Sequence, residues 1–234
     1  MKMNYETFSR QAMVILLCLL TFAGCGERRE SKEANLFPHS DAQYVVVIVM
    51  DLSGSFSHAM ANEGKAHKFS VQVIDRYFRR RDALNDRIVL AQISGTEQSL
   101  MWEGTPLKLR KDFPSAESFR DFLLEKADGG GSLVDQGVAN AIDYVSSHER
   151  FTSGNTKSVT LILSDMEDTG GDPGSEQKLN QSLAAYGRQN GSVGIYFCGQ
   201  LGVARWKDRL AQSGIRNYVV ESEIVGEPNL PSFE

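Results

Sequence analysis

Residues 44–55 read YVVVIVMDLSGS, an unbroken apolar run that closes on Asp51, Ser53 and Ser55. Their alternate spacing lets one tight turn aim a carboxylate and two hydroxyls at a single point, and Gly54 lets the backbone bend there. Oxygens gathered in this way suit a small hard cation, which wants a near-octahedral oxygen shell. Two later segments offer more of the same chemistry. Residues 128–142, DGGGSLVDQGVANAI, place Ser132 after a glycine run and at the head of a helical pattern. Residues 157–168, KSVTLILSDMED, repeat the first design, an apolar strand followed by Ser164 and Asp165. Two carboxylates at neighbouring strand ends repel each other, and a cation between them relieves that repulsion.

The elements that must position these residues alternate along the chain. Apolar runs at 44–50, 87–93, 158–164, 193–198 and 215–220 read as strands, the first buried on both faces as in a parallel sheet. Residues 98–109 read as one or two edge strands, where Pro106 is tolerated. Helical patterns occupy 57–81, 115–126, 133–147, 175–187 and 203–213. This rhythm predicts an α/β fold: a doubly wound, mostly parallel central sheet flanked by helices, with one edge strand antiparallel. In such sheets ligands bind beyond the carboxyl ends of the strands, which is where Asp51 and Asp165 fall.

Each hydroxyl also has a structural alternative. Ser132 with Asp135 three residues on is a helix N-cap pattern, and Ser53 and Ser55 could serve a turn. Glu167, Asp168 and Asp172 read as a solvated acidic loop. His39, His58, His67 and His148 show no zinc-ligand spacing, although His58 follows Ser55 closely on the expected rim. The glycine run lacks the Lys of a phosphate-cradling loop and the spacing of a dinucleotide fingerprint. No GxSxG nucleophile elbow occurs. The residues therefore point away from an enzyme.

Asp-x-Ser-x-Ser, a Gly-Gly-Ser ahead of a helix, and a strand ending in Ser-Asp, in that order, resemble the von Willebrand factor A family over roughly residues 42–220. The first motif is common by itself; three in this order on an α/β pattern are specific. The resemblance implies a metal-ion-dependent adhesion site at Asp51, Ser53, Ser55, Ser132 and Asp165, holding one Mg²⁺ or Mn²⁺. It implies recognition of a partner protein, whose carboxylate takes the open metal position. Loops at 56–64, 94–105, 128–132, 166–174 and 199–202 would supply specificity. Two positions depart from the family pattern: Ser132 stands where Thr is usual, and Met166 where Gly is common. Two rival readings are a metal-independent envelope scaffold and a metal-dependent hydrolase using the same cation on water or a phosphoryl oxygen.

The N-terminus reads as a targeting segment. Lys2 and Arg10 precede a mostly apolar stretch, Ala12–Ala23, too short to span a bilayer comfortably. Phe22-Ala23-Gly24-Cys25 looks like a bacterial lipobox, with Phe22 in place of the usual Leu. The expected organisation is a lipoprotein signal peptide at 1–24, a lipid on Cys25, a tether over 25–41, the domain over 42–220 and a loose C-terminal tail over 221–234. The expected location is the bacterial cell envelope outside the cytoplasm, the outer membrane if there are two. Cys18 leaves with the signal and Cys25 is the anchor, so Cys198 stands alone in VGIYFCG as a buried small hydrophobe. Removing Lys2, Arg10 and Glu6 from totals of 25 basic and 30 acidic residues leaves 23 and 29. That acidic balance argues against nucleic acid, whose binding rests on basic phosphate contacts. Arg79-Arg80-Arg81 is the one basic run and closes a helical pattern, where cations complement the helix dipole.

Overall fold

The computed structural model describes residues 42–54, 56–60, 64–79, 84–93, 99–127, 131–152, 155–168, 170 and 173–234. Six strands form one sheet: β1 (Gln43–Met50), β2 (Arg87–Gln92), β3 (Leu100–Gly104), β4 (Thr156–Leu163), β5 (Ser192–Tyr196) and β6 (Tyr218–Glu221). Their spatial order is β3-β2-β1-β4-β5-β6. Every pairing is parallel except β2 with β3, which is antiparallel. The chain runs outward from β1 to β2 and β3, then returns to the other side of β1 as β4. The order therefore reverses between β1 and β4, the switch point at which an open α/β sheet leaves a crevice.

Two helical layers cover the sheet. On one side lie α1 (Ser57–Met60), α2 (Lys65–Phe78), α3 (Pro106–Asp112) and α4 (Ala116–Lys126). On the other lie α5 (Val134–Ser147), α6 (Glu149–Thr152), α7 (Ser175–Arg188) and α8 (Gln200–Gln212). The period of two along β1 feeds both cores. Val45, Val47 and Val49 join the α5–α8 layer, while Tyr44, Val46, Ile48 and Met50 join the α2–α4 layer. All seven are fully buried. Each large aliphatic side chain so buried contributes about 1.5–3 kcal/mol, which is why this strand needs no polar residue until it ends.

Three expectations are corrected. Pro106 does not lie on an edge strand: β3 stops at Gly104, and Pro106 is the first residue of α3 behind the cap Thr105, whose Oγ1 accepts from Lys108 N at 3.1 Å. Proline suits that position because a helix leaves its first N–H groups unpaired in any case. The helix expected over 57–81 is two elements, α1 and α2, and residues 61–63, 80 and 81 lie outside the described residues. The end of the chain is not a loose tail. Phe233 is buried against Tyr44 and Tyr77, at ring centroid distances of 4.6 and 5.6 Å. Tyr77 and Tyr196 donate their hydroxyls to the Pro231 and Asn229 carbonyls, at 2.5 and 2.6 Å. One aromatic anchor and a few backbone acceptors hold a segment that has no periodicity of its own.

Candidate metal centre

Backbone pairing carries the order of the sheet into the loops beyond it. Asp51 N donates to Leu163 O at 2.9 Å, Ile93 N to Met50 O at 3.0 Å and Ser164 N to Tyr196 O at 3.2 Å. The first residues past β1, β2 and β4 are therefore held side by side. Leu133 N donates to Ile93 O at 3.3 Å, which pins the start of α5 to the end of β2. Gly137 lets α5 lie this close: a Cβ there would stand 2.9 Å from Ile93 Cα.

These constraints bring Asp51, Ser53 and Ser132 together, each essentially without solvent exposure. Ser132 Oγ lies 2.7 Å from Ser53 Oγ and 3.2 Å from both carboxylate oxygens of Asp51. Asp51 Oδ1 also accepts from Ser53 N at 3.0 Å. Ser132 is not a helix cap. The cap position of α5 is Leu133, which makes no side-chain cap bond, and the Ser132 hydroxyl turns to Asp51 instead. Ser55 lies outside the described residues, as do Asp172 and residues 128–130.

Sequence reasoning passed over Ser164. Its Oγ donates to Asp51 Oδ2 at 2.8 Å and accepts from Met166 N at 2.9 Å, so it fixes the carboxylate from the β4 side. The signal available was a hydroxyl at the strand end directly before Asp165. Met166 takes a left-handed φ of 61°, the conformation that glycine enters freely. This is the physical reason for a glycine at that position in the resembled pattern.

Asp165 is half-buried at the adjacent strand end, its Oδ1 accepting from Glu167 N at 3.0 Å. Loss of water raises its carboxyl above the usual carboxylate range; the Glu167 N–H opposes this, and the charges of Asp51 and Glu167 reinforce it. Gly199 N donates to Asp165 O at 2.8 Å, tying the loop after β5 to the site. A cleft of about 590 Å³ opens beside Asp165, lined among others by Glu167, Asp168, Leu201 and Arg205, with Leu201 fully exposed. Glu167 and Asp168 are exposed on its rim, outside the hydroxyl cluster. His58 is exposed on α1, while His67 is buried with Nε2 3.2 Å from Ala116 O. Cys198 is buried, and desolvation pushes its thiol up to about 11, which suits a core residue and not a nucleophile.

The donor set is all oxygen. Among the described residues no three His, Cys, Asp or Glu side chains gather as a metal site, so any ion here would rest on hydroxyls and two carboxylates. Cis oxygens of an octahedral shell at about 2.1 Å from Mg²⁺ stand about 3 Å apart, and the separations of 2.7 and 3.2 Å bracket that spacing. Asp51, fully buried, has no cationic side chain paired with it among the described residues. The residues present fit a small divalent ion.

No protein-family model matches the chain, and no curated protein does. Among solved structures it is similar to the SpRpn10 VWA domain, with a TM-score of 0.53 and 13% identity over 81% of this chain and 92% of that one. It is also similar to proximal thread matrix protein 1 from the mussel byssus, with a TM-score of 0.49 and 12% identity over 77% of this chain and 44% of that one. A third match is the TFIIH p34 N-terminal domain, with a TM-score of 0.47 and 10% identity over 76% and 90%. At such identities the likeness is one of fold. A six-stranded sheet with a single antiparallel edge, helices on both faces and the SpRpn10 domain superposing over four-fifths of the chain give the conclusion: this chain has the von Willebrand factor A fold.

Proposed function

We propose that this chain is a binding module of the bacterial cell envelope, anchored through a lipid on Cys25, that captures a partner protein through a divalent ion, Mg²⁺ or Mn²⁺. The observation that carries the reading is the buried cluster in which Asp51, Ser53, Ser132 and Ser164 converge from three loops at the switch point. Ser53 and Ser132, with Ser55 of the same sequence motif, would hold the ion, and Asp51 and Asp165 would balance its charge directly or through water. When bound, the ion supplies a Lewis-acid position for one anionic oxygen from the partner. Neutral hydroxyls on the protein side leave the ion electron-poor enough to want that oxygen. Ser164 orients Asp51, and the cleft beside Asp165 offers Leu201 and Arg205 to the residues that flank the partner's carboxylate. An acidic chain can bind an acidic side chain in this way because the cation stands between them.

A metal-free scaffold of the envelope is the second reading, favoured by one observation: Asp51 already accepts hydrogen bonds from Ser53 N and Ser164 Oγ. Capture of envelope proteins by the wild-type chain and by Asp51→Ala, in Mg²⁺ and in chelator, separates the two. The metal reading expects a partner retained by wild type in Mg²⁺ and lost in chelator and in the variant. Equal retention in all four conditions would favour the scaffold.

A further inference from the structure

Far from the hydroxyl cluster, the other end of the sheet gathers leucines and cations. The register places Arg87 beside Val45 at the start of β1, and Gly104, the end of β3, beside Ile88. Leu84 and Leu107 lie just outside those positions, so both stand at the end where β1 and β2 begin. They are 76% and 66% exposed. Arg87 Nη1 donates to Leu84 O at 2.9 Å, which holds that leucine beside a cation. Arg110 Nη2 donates to Phe78 O at 2.9 Å, so the last turn of α2, with Arg79 following it, reaches the same end. Arg79 is paired with Asp75, but Arg87, Arg110 and Lys111 form no ion pair among the described residues.

We propose that this end of the domain is a docking face for an anionic lipid bilayer, a contact made by protein side chains and separate from the anchor on Cys25. Exposed leucines flanked by arginine and lysine suit the boundary between headgroups and acyl chains, where apolar side chains enter and cations meet anionic headgroups. The cations collect here although the whole chain carries a formal charge of −5. The chain also enters the fold at this end. Ala42 leads directly into β1, and Gln43 Nε2 donates to Asn85 O at 2.6 Å, tying that entry to the Leu84 turn. A membrane here therefore leaves Asp51 facing outward: the eight residues of β1 separate the two ends by about 26 Å. The face is independent of the metal reading, and neither needs the other to hold.

The test uses the full chain carrying Cys25→Ser, so that lipid modification is equal in every preparation. It is floated with vesicles of phosphatidylcholine alone and of phosphatidylcholine mixed with phosphatidylglycerol, and the ratio of the two bound fractions is read. Any contribution of the apolar N-terminal segment is common to all variants. Wild type should prefer the anionic vesicles and lose that preference at high salt. Arg110→Gln with Lys111→Gln should lower the ratio by on the order of tenfold or more. Leu84→Gln with Leu107→Gln should weaken binding to the anionic vesicles. Lys178→Gln with Lys207→Gln, on α7 and α8 toward the opposite end, should leave the ratio unchanged. No preference in wild type would overturn the proposal and give the face to a protein partner instead. An equal loss in both charge pairs would overturn it too, as the mark of unlocalised attraction.

Discussion

Replacing Met166 with glycine should destabilise the domain less than replacing it with alanine, the reverse of the order expected in most folded segments. Met166 adopts a φ of 61° while its side chain is 2% exposed in the core beneath α5, α7 and α8. Two opposing quantities meet there. Left-handed backbone costs an L-residue about 1–2 kcal/mol, and glycine avoids most of it while losing more entropy on folding. The balance favours glycine by about 1 kcal/mol. Removing the buried thioether costs about 2–5 kcal/mol in either variant. Alanine keeps the strain and loses the burial, so it bears the full cost; glycine bears about 1 kcal/mol less. Both keep the backbone N–H that reaches Ser164 Oγ, so neither should disturb the hold on Asp51. Urea unfolding at equal slope should give midpoints in the order wild type, Met166→Gly, Met166→Ala. An alanine variant as stable as the glycine variant would refute the reasoning, because the left-handed turn would then carry no cost.

Ser164→Ala removes a donor to buried Asp51 and an acceptor for Met166 N–H, and it should cost about 1–3 kcal/mol for each group left unsatisfied, read by urea unfolding. Phe233→Ala should cost about 3–5 kcal/mol because its ring fills the space between Tyr44 and Tyr77; no loss of stability would restore the loose tail. Burial holds the His67 imidazole below its usual 6.5 despite its contact with Ala116 O. The unfolded chain then binds more protons just below that pH, so the stability due to a neutral His67 is complete above 6.5, falls as the pH drops beneath it and levels off below the folded value. His67→Gln should remove that part of the pH dependence, as measured by unfolding midpoints across the range.

How much of this was legible beforehand depends on the kind of order involved. The sheet was readable because β1 is apolar from Tyr44 to Met50 without a break, as a strand covered on both sides requires. Asp51 and Asp165 were readable as residues that end such strands. The role of Ser132 was ambiguous, because a hydroxyl three residues before an acid satisfies a helix cap and a metal site equally well in one dimension. The structure removes the cap alone: Leu133 takes the cap position, pinned to Ile93, and the Ser132 hydroxyl meets Asp51, a contact between distant segments. Ser164 escaped notice because Asp165 beside it had the stronger chemistry, although the serine is the one bonded to Asp51. The C-terminal segment escaped for a different reason: carbonyls accepting from Tyr77 and Tyr196 leave no pattern in the residues that own them.

Binding of a divalent ion by the cluster around Asp51 is open to a direct reading by thermal unfolding. The protein is melted in chelator and then in Mg²⁺ and in Mn²⁺, beside Asp51→Ala. An ion present at a hundred times its Kd adds about 2.7 kcal/mol, a rise of a few degrees for a domain of this size. Wild type should show that rise and the variant should not. No rise at millimolar ion, or the same rise in Asp51→Ala, would contradict binding at this cluster.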